Sequence, residues 1–378
     1  MWYDLIAAAA LAGWLYLIVA RGAFWLASVR DDGSALLRPP APTVVAVVPA
    51  RNEAAGIAES IGSLLDQDYA GAFSIVLVDD QSDDGTAAIA LRAAQMRGAS
   101  GRLSIVSGQA PPTGWMGKTW AQQQGVELAL RQSPSYLLLT DADIVHAPDT
   151  LAWLVAQAQS KALVLTSLMA KLNCESFAER MLVPAFIFFF QMLFPFRWVN
   201  RQATAAAAGG CMLVQCDALA RAGGIAAIRD AVIDDCALAG KLKPCGPIWL
   251  GLTERVRSIR PYPRLGDIRK MVARSAYAQL KYSPIALVGM VTGLALVYAA
   301  PVLLTLFGSG LAQKLGLVSW VLMAVAFAPT LRFYRMSLWW AVALPAIAVV
   351  YMAFTIDSAI QHARRGGATW KGRIALRT

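Results

Sequence analysis

The chain has 378 residues, 57% of them hydrophobic and 15% charged, with a net charge of +10. A soluble domain carries about 25% charged residues, so the composition argues against an ordinary soluble protein and for a membrane component. The arginines stand beside apolar segments, at Arg21, Arg30, Arg38, Arg332, Arg335, Arg364 and Arg365, and form no Lys/Arg block; that placement suits anionic headgroups and speaks against a nucleic-acid partner.

The first element, Leu5–Ala20, is uncharged and apolar and can continue to Val29 with Arg21 snorkelling. Residues 1–30 are therefore expected to form a retained transmembrane anchor, since Asp4 occupies the place where a signal peptide carries positive charge. The basic residues that follow put the next domain in the cytoplasm by the positive-inside rule. After the stiff linker Arg38-Pro-Pro-Ala-Pro42, strands are predicted at Thr43–Val48, Phe73–Val78, Leu103–Val106, Tyr136–Thr140 and Ala162–Ser167. Helices are predicted between them at Ala54–Leu65, Thr86–Met96, Trp120–Leu130 and Asp149–Ala158. This alternation predicts an α/β, Rossmann-like domain over residues 43–282 with a mostly parallel sheet, whose ligands bind beyond the carboxyl ends of the strands.

Phe177–Phe196 is rich in Phe and Met but contains Glu179, Arg180 and two prolines, and it reads as an interfacial segment or as a buried helix. Three uncharged stretches, Ile285–Phe307, Leu315–Leu331 and Met336–Ile356, are each long enough to cross a bilayer, giving a membrane region over 285–356 before a basic tail over 357–378. One anchor plus three crossings would leave that tail outside, against the positive-inside rule. Either one segment is re-entrant, with Pro301, Pro329 and Pro345 each offering a break, or the rule fails here.

Polar clusters fall at the predicted strand ends. Pro49-Ala50-Arg51-Asn52-Glu53 follows strand one, where Asn52 and Glu53 suit a helix cap or an anion site. Asp79 and Asp80 close strand two, as acceptors for base and ribose groups or as part of a surface turn. Asp141-Ala142-Asp143 ends strand four; alternate residues on extended chain point the same way, so the pair suits a hard divalent cation, Mg or Mn, bridging to a diphosphate. Lys118, ahead of a helix, can neutralise phosphate charge, although its glycines do not match a P-loop. Asp234 and Asp235 open another helix and serve either as caps or as a base for an acceptor hydroxyl. Gly209 and Gly210 allow close backbone approach to a ligand or a tight turn. Five cysteines without a CxxC and two histidines supply neither a zinc site nor a Ser-His mechanism.

In order, PARNE, VDDQSDDGT, GWMGKTWA, LLLTDAD, AGGCMLV and IDDCAL closely resemble the motifs of family 2 glycosyltransferases, whose catalytic domain is called GT-A. Among members the chain looks most like the bacterial hopene-associated glycosyltransferases, and it is similar, more distantly, to ceramide and carotenoid glycosyltransferases. The resemblance implies a nucleotide-sugar donor, with a UDP-sugar favoured, and a lipid acceptor. It implies that Pro49, Ala50, Asn52, Glu53, Asp79, Asp80, Lys118 and Asp141 serve the donor, and that Asp141 and Asp143 hold the metal. By the same resemblance Asp235 is the general base, and Asp234 replaces the family's Glu. The Gln/Arg-x-x-Arg-Trp motif of processive and ceramide-type members has its nearest match in Ala278-Gln279-Leu280-Lys281-Tyr282, where only a cation followed by an aromatic survives; this speaks against processive synthesis and leaves Lys281 and Tyr282 as candidates for the acceptor side, beside Gly209 and Gly210. Trp370-Lys371-Gly372-Arg373 is similar to a tail motif of membrane-bound members. Two other classes compete. A nucleotidyltransferase would want a Gly/Arg/Lys-rich loop that Pro49–Glu53 does not supply. A transport or scaffold protein would want charges within the membrane segments, where few occur.

Overall fold

The structure, a computed structural model, describes residues 1–33, 37–201, 204–365, 369–370 and 373–374. In chain order, α1 (Trp2–Leu15) precedes β1 (Val44–Ala50), α2 (Ile57–Leu65), β2 (Phe73–Asp79), α3 (Thr86–Met96), β3 (Leu103–Ser107), α4 (Gly117–Leu130), β4 (Tyr136–Thr140), β5 (Ile144–His146), α5 (Thr150–Lys161) and β6 (Leu165–Lys171). Then come α6 (Phe177–Leu193), α7 (Phe196–Arg201), β7 (Cys211–Gln215), α8 (Cys216–Arg221), α9 (Asp234–Leu242), β8 (Ile248–Ser258) and α10 (Leu265–Gln279). The chain continues through α11 (Pro284–Leu294), α12 (Ala300–Phe307), α13 (Gly310–Phe333), α14 (Leu344–Arg365) and the short pair β9 (Thr369–Trp370) and β10 (Arg373–Ile374). These elements form two compact units: an α/β unit holding β1–β8, and a helical unit built from Met1–Ser28, Cys174–Trp198 and the helices from α10 onward.

The α/β unit is organised on one eight-stranded sheet of order β3-β2-β1-β4-β7-β6-β8-β5. β3, β2, β1 and β4 run parallel, β7 pairs antiparallel with both β4 and β6, and β6 and β8 are parallel. All seven residues of β1 are buried, as a strand covered on both faces requires. Gly125 of α4 explains the tight cover: a Cβ there would stand 2.5 Å from Val47 Cγ1. The register aligns Ala50 with Asp79, so the chain leaves both strands at the same sheet edge.

The mostly parallel sheet agrees with the sequence reading, with three local differences. α2 begins at Ile57 rather than Ala54, because Thr86 Oγ1 and Asp84 Oδ2 capture the N–H groups of Glu53 and Ala54. α5 runs on to Lys161, and left-handed Ala162 stops it, so the fifth predicted strand starts at Leu165 and pairs with β7 and β8 instead of a parallel neighbour from the first half. β5 and β8 carry no clean sequence signal; β8 mixes Gly251, Glu254, Arg255 and Arg257 into its apolar positions.

In the helical unit, Phe177–Leu193 is one continuous helix that contains Pro184. Glu179 does not interrupt it but starts it: Ser176 Oγ accepts the Glu179 N–H at 3.1 Å while the Glu179 carboxylate accepts the Ser176 N–H at 2.8 Å, a reciprocal cap. Among the described residues, five helical stretches are long and apolar enough to cross a membrane: Trp2–Ala20, Phe177–Arg201, Pro284–Phe307, Gly310–Phe333 and Leu344–Arg364. α11 and α12 are joined by the π-helical turn Ala295–Ala299, and α13 folds back along them, with Gln313 Nε2 donating to Thr305 O at 3.0 Å. α14 starts beside the middle of α13, where Trp320 Nε1 donates to Val342 O. It ends against α10 and the beginning of α11, with Asp357 facing Arg269 and the His362 ring stacked 4.3 Å from that of Tyr282.

Candidate functional site

Loops following β1, β2 and β3 are laced together at their carboxyl ends. Asp80 N–H donates to Ala50 O at 2.8 Å, and Gly108 N–H donates to Asp79 O at 2.8 Å. Arg51 Nη1 donates to Asp80 O at 2.6 Å, and the Asp80 side chain is fully buried. Asn52 takes a left-handed φ of 52°, donates its N–H to Ser82 Oγ and accepts from Asp83 N–H. Asp79 accepts the Ser82 N–H at 3.1 Å. Pro49, Ala50, Asn52, Glu53, Asp79 and Asp80, separate in the sequence, thus border one rigid rim. Neither side chain caps α2: Asn52 Oδ1 accepts from Asp83 and the Glu53 carboxylate pairs with Arg260, while the Glu53 carbonyl accepts the Ile57 N–H that opens the helix.

A second group lies where α4, α9 and the turn after β4 meet. Lys118, in the first turn of α4, reaches Asp141 at 2.8 Å and Asp234 at 3.1 Å. Gln122, one turn on, donates to Asp234 Oδ2 at 3.4 Å. Asp235 accepts the Gly209 N–H at 2.8 Å through Oδ2 and the Cys236 N–H at 2.7 Å through Oδ1. Any Cβ at Gly209 would stand 3.3 Å from Asp235 Oδ2 and 3.5 Å from Lys118 Nζ, so the bare backbone is what lets these groups converge. Gly210 acts differently, its carbonyl accepting from Thr140 Oγ1 at 2.7 Å and its Cα packing on Ile144.

Asp141 and Asp143 lie in a turn between β4 and β5, not on the extended stretch from which a shared direction was expected. Each faces a different cation: Asp141 pairs with Lys118, and Asp143 with Arg260 at 2.7 Å. Arg260 also holds Glu53 at 2.5 Å, tying the first rim to the turn. No strand signal pointed to Arg260, which lies two residues beyond β8 and directly before Pro261. Among the described residues no cluster of three or more His, Cys, Asp or Glu side chains forms a metal cage. The two aspartates fit a cation whose other ligands are phosphate oxygens and water, as Mg and Mn sites commonly are.

The charge arrangement sets the protonation states. Burial raises the Asp235 carboxyl to about 6, Asp234 pushes it the same way, and Lys118 opposes both. Burial also lifts Asp141, against the pull of Lys118. Burial works against a charged Lys118, but Asp141, Asp234 and Asp235 outweigh it and hold the ammonium above the ordinary lysine range. His146 is pushed down to about 3 by burial, and its Nε2 lies 3.1 Å from Thr140 Oγ1, so it is a neutral core residue. Lys281 and Tyr282 belong to the helical unit; both have left-handed backbones, and Tyr282 stacks on His362. Of the Trp370–Arg373 tail motif, Lys371 and Gly372 lie outside the described residues.

Residues 45–220 match the family described as Glycosyl transferase family 2. No curated protein matches. Among solved structures the chain is similar to a mannosyltransferase from Pyrobaculum calidifontis, crystallised with GDP-Man and Mn2+, at a TM-score of 0.56 and 20% identity over 96% of this chain and 99% of that one. It also matches mannosyl-3-phosphoglycerate synthase from Rubrobacter xylanophilus at a TM-score of 0.42 and 17% identity, covering 70% of this chain and 84% of that one. Glucosyl-3-phosphoglycerate synthase from Mycobacterium tuberculosis, with Mg2+ and UDP, matches at 0.40 and 17%, covering 61% and 75%.

Proposed function

With residues 45–220 a glycosyl transferase family 2 domain of GT-A fold, the chain is a glycosyltransferase that uses a nucleotide sugar, and we propose that it moves the sugar onto a lipid acceptor at the inner face of a bacterial plasma membrane. One observation carries the mechanism: Lys118, Asp141, Asp234, Asp235 and the bare backbone of Gly209 converge, although 117 residues separate Lys118 from Asp235.

In this reading the rim of Pro49, Ala50, Asn52, Glu53, Asp79 and Asp80 receives the nucleoside, a UDP-sugar being the favoured donor. Lys118 and Arg260, each already facing an aspartate of the turn, neutralise diphosphate oxygens. Asp141 and Asp143 would hold Mg or Mn, which would supply positive charge to offset that on the departing diphosphate. Asp235, with both oxygens held by backbone N–H groups, takes the proton from the acceptor oxygen as that oxygen attacks the anomeric carbon. The bond from that carbon to the diphosphate breaks as the new one forms, and the configuration inverts. Asp234 supports the process by keeping Lys118 in place. A carboxyl near 6 is well matched to a general base at neutral pH.

The lipid acceptor is supported by the five apolar helices, which a soluble acceptor would not need. The bacterial hopanoids are the specific candidates implied by resemblance, and a lipid hydroxyl or lipid phosphate is the chemical class. α14 is then the re-entrant segment: it starts halfway along α13 and ends beside the beginning of α11, which returns the basic tail to the side from which α11 departs. That satisfies the positive-inside rule. The test is incubation of membranes containing the enzyme with labelled UDP-hexoses and GDP-hexoses. Label that passes into the organic phase, with nucleoside diphosphate released in equal amount, supports the reading; label found only on soluble products refutes the lipid acceptor.

A further inference from the structure

The helical unit contains a cavity of about 420 Å³ that the transfer reaction does not use. It is lined by Arg180 from the first turn of α6, by Tyr334, Arg335 and Ser337 from the segment after α13, and by the rings of Phe177 and Trp340, whose centroids lie 5.6 Å apart. Two arginines therefore line one cavity, and none of its lining residues is a carboxylate. The nearest acid in sequence, Glu179, is committed elsewhere: its carboxylate accepts the backbone N–H groups of Glu175, Ser176 and Tyr262. Among the described residues no carboxylate pairs with Arg180. Arg335 takes a left-handed φ of 55°, a conformation that a non-glycine residue adopts only at a cost, and it does so at the cavity wall.

We propose that this cavity binds the phosphate of an anionic lipid headgroup. Its size is that of a ligand pocket, well beyond a single water or ion. Paired arginines are the side chains of choice for a phosphate, because their planar forks match its oxygens. The surroundings select a lipid over a free phosphate. Phe177, which lines the cavity, is 72% exposed, leaving apolar surface there for acyl chains. The cavity also sits where two of the membrane-length stretches have an end, at Phe177 and Phe333, and aromatic and basic residues at such ends mark the headgroup layer. The inference rests on the membrane reading of these helices and on none of the reaction residues.

The experiment uses the full-length enzyme in zwitterionic detergent, titrated with phosphatidylglycerol and read by native mass spectrometry, with Arg180→Gln/Arg335→Gln and, as a basic residue of the same unit outside the cavity, Arg274→Gln. At about fivefold per basic residue, the double variant should bind phosphatidylglycerol about thirtyfold more weakly. Arg274→Gln should bind like the wild type, and Arg180→Lys/Arg335→Lys should recover part of the loss. Wild-type retention of lipid in the double variant overturns the site, and an equal loss in Arg274→Gln replaces it with a diffuse basic surface. Inorganic phosphate raising the melting temperature as much as phosphatidylglycerol does overturns the lipid as its source. Donor hydrolysis and melting temperature of the lipid-free variants should equal the wild type, which separates lost binding from lost folding. Resistance to carbonate extraction, measured separately, tests the membrane reading without touching the cavity.

Discussion

Replacing Asp235 by Asn tests the proposed chemistry most directly. The side chain keeps its shape, and one oxygen still accepts a backbone N–H, from Gly209 or from Cys236. The amide nitrogen then faces the other N–H, donor against donor, at a cost of about 1–3 kcal/mol. Removing a buried charge beside Asp234 offsets part of that cost, so the fold should hold. The proton acceptor, however, is gone. General-base catalysis contributes about 10²–10⁴-fold, so kcat should fall by that factor, equal to roughly 3–5 kcal/mol of barrier. The donor KM should change little, because the donor rim and Lys118 keep their partners. The pH dependence gives a second signature. With its carboxyl raised to about 6, Asp235 is the active carboxylate above that pH and is protonated below it, so kcat should fall about tenfold per unit on the acid side. In Asp235→Asn that limb should vanish. A coupled assay for released nucleoside diphosphate, run from acid to neutral pH in both proteins, measures all three quantities. Near-normal turnover in the variant, or an unchanged acid limb, would refute the role of Asp235 as base.

Other substitutions probe the neighbours. Lys118→Gln removes the cation shared by Asp141 and Asp234; it should raise the donor KM and cost roughly 2 kcal/mol of stability, less than the 3–5 of a fully buried pair because the Asp141 side chain is 33% exposed. Urea unfolding and donor titration read the two effects separately. Gly209→Ala forces a methyl group against Asp235 Oδ2 and Lys118 Nζ, so kcat should drop at least about tenfold while the melting temperature moves little. Arg260→Gln removes the cation shared by Glu53 and Asp143, and isothermal titration with donor should show weaker binding than the wild type. EDTA should abolish turnover, and Mn2+ or Mg2+ should restore it; full activity in EDTA would remove the metal from the proposal.

The periodicity of the chain decided much of the architecture. Buried parallel strands must read as continuous apolar runs, and Thr43–Val48, Phe73–Val78 and Tyr136–Thr140 do, so β1, β2 and β4 were placed within two residues. The acidic clusters were visible for the same reason: polar residues that abruptly end such runs must lie at the sheet edge. Four of the five membrane-length stretches found among the described residues stand out by composition, whereas Phe177–Arg201 reads there as an interfacial segment or a buried helix. Contacts distant in sequence were not legible. Only the fold brought Lys118 to Asp234, Gly209 to Asp235 and Arg260 to both Glu53 and Asp143, since each pairing is set by how the sheet is ordered and not by local spacing. β8 was missed because its charged positions conceal the strand pattern, and the path of α14 because hydropathy reports length and not where a helix begins. The residue types that give the site its chemistry are thus written in the sequence, while the tertiary structure alone decides which carboxylate meets which cation.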